Sequence, residues 1–169
     1  MTLAQYSSCS YRSYESGYFN PEIQSAFAER AYELLNSLSI NNFNIFYKPT
    51  SGAIMANALL QKCRTKGMDV KVANYAVLRH AYSYESLNDG PNIFVDDYLS
   101  RGRALNNVCK LIKRSGFLRN GKPPHIDHVV VIRTAGDSLV ALKNIDVCNK
   151  AIIHPLDSSG DGYPISDYL

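Results

Sequence analysis

Asn92-Ile93-Phe94-Val95-Asp96-Asp97-Tyr98-Leu99-Ser100-Arg101-Gly102-Arg103-Ala104-Leu105 puts a short apolar run directly before two adjacent carboxylates and a glycine-bearing polar loop. The run Ile93-Phe94-Val95 shows no polar alternation, as expected of a parallel strand buried on both faces. After the loop, Leu105, Val108, Cys109, Leu111 and Ile112 repeat at helical spacing up to Gly116. The order is therefore strand, acidic pair, loop, helix, which is one turn of an α/β sheet.

Working outward, the same alternation recurs. A helix is expected from Pro21, since proline suits a first helical turn, with Ala26, Ala28, Ala31, Leu34 and Leu35 supplying helix formers and an apolar stripe. Residues 43–47 read as a short strand, Lys48-Pro49-Thr50-Ser51-Gly52 as a turn, and residues 53–63 as a helix ending near Gly67. Residues 69–78 are the next strand candidate, and 79–91 read as polar and turn-like, closed by Asn88-Asp89-Gly90-Pro91. His128-Val129-Val130-Val131-Ile132-Arg133 is the clearest strand, and 138–142 and 151–153 are further candidates. The expected fold class is α/β, a three-layer arrangement with a mostly parallel central sheet flanked by helices. Residues 1–20, where Tyr6, Tyr11, Tyr14 and Tyr18 alternate with serines, are expected to form an irregular arm. Residues 21–169 are expected to form one domain, a size sufficient for a single core.

The decisive segment also carries chemistry. A strand end delivers Asp96 and Asp97 to the sheet edge, where ligands of such sheets bind. Backbone N–H groups of the following loop and first helical turn suit a phosphate, and Gly102 allows close approach and a positive φ. Two physical readings of the acidic pair stand: carboxylates that cap the next helix, or carboxylates that hold sugar hydroxyls or the water shell of a magnesium ion. The apolar strand before the pair and Gly102 after it favour the ligand reading.

This layout resembles the phosphoribosyl-diphosphate-binding motif of the type I phosphoribosyltransferases, in which a hydrophobic strand leads to two acidic residues and a Thr/Ser/Gly-rich phosphate loop. The resemblance spans roughly residues 40 to 157, and its specific part is the segment quoted above. It implies that Asp96 and Asp97 hold ribose hydroxyls, and that Ser100, Arg101, Gly102, Arg103 and Ala104 hold the 5′-phosphate. It implies a diphosphate contact from the turn bearing Lys48, Thr50 and Ser51, and a mobile catalytic flap at Ser83-Tyr84. Base contacts at Arg133 and His154 are implied more weakly. The family has hydroxyl or small residues where this chain has Arg101, Arg103 and Ala104, so a hydrogen bond to phosphate is lost, and Arg101 or Arg103 either replaces it with a charge-assisted one or faces solvent. The implied activity is transfer of ribose 5-phosphate from phosphoribosyl diphosphate, with Mg2+, to a nucleobase and release of pyrophosphate. Because the family includes regulators, the alternative is a non-catalytic nucleotide-binding protein with a small or reduced hood over the base. A homo-oligomer is expected by the same resemblance.

Composition bounds the rest. The net charge of +3 is too small to argue for nucleic acid. No apolar run approaches the roughly 18 residues of a membrane span, and Met1-Thr2-Leu3-Ala4-Gln5 lacks the start of a signal peptide. A cytoplasmic protein is expected. The 4 cysteines have no metal-binding spacing, and Cys63 and Cys109 fall in apolar helical patterns, as buried thiols do. His125 and His128 are expected to be structural, with no direct protein metal site.

Overall fold

The computed structural model describes residues 20–135, 143–158 and 162–168. Three helices and eight strands are found among them: α1 (Pro21–Ser37), β1 (Asn42–Phe46), α2 (Ser51–Thr65), β2 (Asp69–Val72), β3 (Asn92–Val95), β4 (Tyr98–Leu99), α3 (Arg103–Ser115), β5 (His128–Val131), β6 (Arg133–Thr134), β7 (Ile152–Pro155) and β8 (Tyr163–Pro164). The main sheet has six strands in the order β2-β1-β3-β5-β7-β8. All neighbours are parallel except β7 and β8. The mostly parallel α/β sheet expected from the sequence is what forms. Because β2 is added on one side of β1 and β3, β5 and β7 on the other, the strand order reverses between β1 and β3. A crevice opens at such a point beyond the carboxyl ends of the strands.

Period-two alternation sorts the strand residues onto two cores. Ile45, Ile93, Val95 and Val130 face α1 and α2, meeting Phe27, Ala31 and Leu35 of α1 and Met55, Leu59 and Cys63 of α2. Phe46, Phe94, Val129, Val131 and Ile153 face the other side, under Leu105, Val108, Cys109 and Ile112 of α3. The layers are thus helices, sheet, helix. Cys63, Cys109 and Cys148 are buried free thiols. No helix of the described residues is long and apolar enough to cross a membrane.

The structure departs from the sequence expectations in several places. The strand expected over 69–78 stops at Val72: the Asn74 side chain accepts the Ala76 N–H at 3.0 Å and turns the chain into a short 3-10 helix, Tyr75–Val77. A second 3-10 turn, Ala81–Tyr84, follows, so the stretch read as loop covers the sheet face in place of a crossover helix. Beyond the main sheet, β4 and β6 form a separate two-stranded parallel ladder, Tyr98 opposite Arg133 and Leu99 opposite Thr134. Two-residue strands carry no legible periodicity. The strand expected at 138–142 and the tyrosine-rich arm lie outside the described residues.

Candidate functional site

β3 ends at Val95, and its ladder to β5 runs on through the acidic pair. The Asp96 N–H donates to Val130 O at 3.2 Å, and Asp97 O accepts from Ile132 N–H at 3.0 Å and Arg133 N–H at 3.3 Å. The pair is therefore held by the sheet rather than by a mobile loop. Both side chains are buried, Asp96 at 6% exposure and Asp97 at 7%. The Ser51 hydroxyl donates to Asp96 Oδ1 at 3.0 Å, and the Asp97 N–H donates to the same oxygen at 2.9 Å. Burial first, and the Asp97 charge second, push the Asp96 carboxyl well above the ordinary carboxylate range.

The loop after the pair closes a pocket of about 380 Å³ lined by Asp96, Tyr98, Leu99 and Ser100 to Ala104. Gly102 precedes α3 with φ 69°, a left-handed conformation that needs glycine. The two arginines, Arg101 and Arg103, are exposed at the rim, while Gly102 is buried. Asp96 and the expected phosphate-loop residues are thus brought together around one cavity.

The helix N-termini differ in a way that bears on anions. α1 is capped by Asn20, whose Oδ1 accepts the Glu22 N–H at 2.8 Å, and carries an acid in its first turn. α2 and α3 have neither a side-chain cap nor an acid in the first turn. Both start at the carboxyl edge of the sheet, one after β1 and one after β3, on the two sides of the reversal in strand order. The positive end of each helix dipole therefore faces that edge.

The remaining expected site residues separate. Ser51 joins the site through Asp96. Lys48 is half-buried with Nζ 3.5 Å from Pro49 O, and Thr50 is exposed. The Pro49–Thr50 peptide bond is cis. The Arg133 guanidinium lies 5.9 Å from the ring centre of Tyr98, a pocket-lining residue, so Arg133 borders the site. His154 does not. It is buried against His128, whose Nδ1 is 3.0 Å from His154 Nε2, and it lines a different cavity with Arg30 and Glu33 of α1. Tyr84 is also away from the pocket: it is 1% exposed, its hydroxyl donates to Leu78 O at 2.6 Å, and its ring stacks on Phe117 at 5.3 Å. In this conformation Tyr84 is a core residue, and its solvent-facing neighbour is Tyr82, stacked on His80.

Sequence reasoning missed Tyr98 and the role of Ser51. Tyr98 follows Asp97 directly, so its neighbourhood was the one available signal. A larger cavity of about 590 Å³ lies at the opposite, amino-terminal edge of β3 and β5. Much of its polar lining is already bonded. Arg119 donates to the carbonyls of Tyr84, Leu87 and Asn88 and to Asp89. Asp127 accepts the Asn92 N–H at 2.8 Å and pairs with His125 at 2.9 Å. These contacts make it a structural joint. Among the described residues no group of three or more His, Cys, Asp or Glu is arranged to hold a metal ion. Compared with models of known families, with curated proteins and with solved structures, the chain finds no match.

Proposed function

We propose that the chain binds phosphoribosyl diphosphate or a nucleotide at the carboxyl edge of β3, with Asp96 and Asp97 toward the ribose and residues 100–104 toward the 5′-phosphate. The observation that carries the reading is convergence: a buried acidic pair, a left-handed Gly102 and two uncapped helix N-termini meet at the reversal in strand order. Hydroxyl groups are the natural partners of buried carboxylates, and phosphates of uncapped helix amides. Phosphoribosyl diphosphate carries both kinds of group, ribose hydroxyls and phosphates on two carbons of the sugar. Two adjacent carboxylates fit Mg2+ held largely by its water and by substrate phosphates better than they fit a dedicated protein cage. Bound so, the ion would neutralise charge on the departing diphosphate.

In the catalytic reading, ribose 5-phosphate passes to a nucleobase nitrogen and pyrophosphate leaves. The protein contributes position and electrostatics: the acids orient the ribose and the α2 terminus receives charge on the leaving group. The second reading, a nucleotide-binding protein without turnover, is favoured by one specific observation. Tyr84, the residue expected on a catalytic flap, is packed in the core. Calorimetric titration with phosphoribosyl diphosphate and magnesium tests the shared binding claim. Wild type should bind, and Asp96→Asn with Asp97→Asn should remove binding while the fold persists; equal affinity in the double variant would refute the site. A panel of nucleobases then separates the readings. Pyrophosphate release that depends on one base marks the enzyme, and tight binding of an intact nucleotide without release marks the binder.

A further inference from the structure

We propose that Ser51 is a positioning residue for the acidic pair, its hydroxyl tying the first turn of α2 to Asp96 so that the turn after β1 and the end of β3 act as one unit. Asp96's part in ligand binding rests on the ribose-phosphate reading above; the tie itself does not. Ser51 had been expected to contact diphosphate, but its hydroxyl is spent on Asp96 Oδ1 at 3.0 Å. The same oxygen takes the Asp97 N–H at 2.9 Å. Both donors thus fall on one oxygen of a side chain that is only 6% exposed, which fixes the carboxyl plane at the pocket wall.

The close approach that makes this bond is built into the neighbouring residue. A Cβ on Gly52 would lie 3.2 Å from Val95 O and 3.5 Å from Asp96 Oδ1. The first of these is a tight contact, so a side chain there would push the start of α2 and the end of β3 apart by a few tenths of an ångström. The turn that leads into α2 carries Lys48 and Thr50, so the Ser51 bond fastens that turn to Asp96.

The experiment compares wild type, Ser51→Ala and Ser51→Thr. NMR follows the Asp97 amide, which shares Asp96 Oδ1 with the Ser51 hydroxyl, in ligand-free protein, and calorimetry gives the affinity for phosphoribosyl diphosphate with magnesium. In Ser51→Ala the Asp97 amide resonance should move, and affinity should fall about tenfold, as for loss of one hydrogen bond to a charged group. Ser51→Thr should restore both. An Asp97 amide resonance unchanged in Ser51→Ala overturns the inference. A resonance that moves, in a protein whose wild type binds no phosphoribosyl diphosphate, supports the Ser51 assignment and removes the ribose-phosphate reading.

Discussion

At the scale of the residue, Asp96 is a group the fold would be more stable without. A carboxyl raised above its ordinary range by burial contributes stability while protonated and loses it as pH rises through its folded value. Asp96→Asn keeps an oxygen for the Ser51 and Asp97 donors and places an amide donor beside the Asp97 carboxylate. It should therefore raise Tm at neutral pH, by about 2–4 °C for each kcal/mol gained in a chain of this size, while ligand binding is lost. A lower Tm in scanning calorimetry would contradict that account of the buried acid. The exposed rim arginines predict the reverse pattern. Arg101→Ala with Arg103→Ala should leave Tm nearly unchanged, as surface substitutions usually do. It should weaken phosphate-bearing ligands by roughly tenfold or more and the matching nucleoside hardly at all. Equal weakening of both would assign the arginines elsewhere.

At the scale of the element, the segment between β2 and β3 shows how irregular chain can be held as firmly as a helix. Its carbonyls at Tyr84, Leu87 and Asn88 all converge on the Arg119 guanidinium, with the Asp89 carboxylate beside them. Tyr84 plugs the core beneath. Arg119→Ala strips these acceptors of one shared donor and should cost about 2–4 kcal/mol, since bonds to a charged donor are strong but not additive. Amide hydrogen exchange should quicken across residues 84–89 before the rest of the sheet. Unaltered exchange there would mean that Tyr84 packing alone secures the segment. The sequence did not announce this latch because its two halves lie some thirty positions apart and neither is periodic.

At the scale of the whole molecule, the β5–β7 pair sets an acid limit on folding. His154 is buried against His128, and burial first and the His128 ring second hold its pKa down to about 4. A histidine kept neutral in the fold takes up its proton on unfolding, so its contribution is present above its unfolded value and is lost as pH falls. Stability in urea should therefore decline from about pH 6.5 down through about 4. His154→Gln should flatten that decline. A slope unchanged in the variant would move the acid sensitivity to the carboxylates. Asp96 works with the opposite sign, so the Asp96→Asn variant should steepen the same curve.

Local pattern by itself determined the class of the protein. Unbroken apolar runs at Ile93-Phe94-Val95 and Val129-Val130-Val131 demand strands covered on both sides, and the helical stripes beside them supply the covers. The acidic pair and Gly102 were legible for the same reason, since they adjoin in sequence and need only the strand before and the helix after to gain meaning. Tertiary structure alone decided what depends on distant residues. It joined Ser51 to Asp96 across 45 positions, drew Tyr84 into the core instead of a flap, set His154 against His128 rather than at the pocket, and paired β4 with β6. Sequence periodicity reports which face of an element is buried, and it carries no record of which other element, or which single polar atom, will lie against that face.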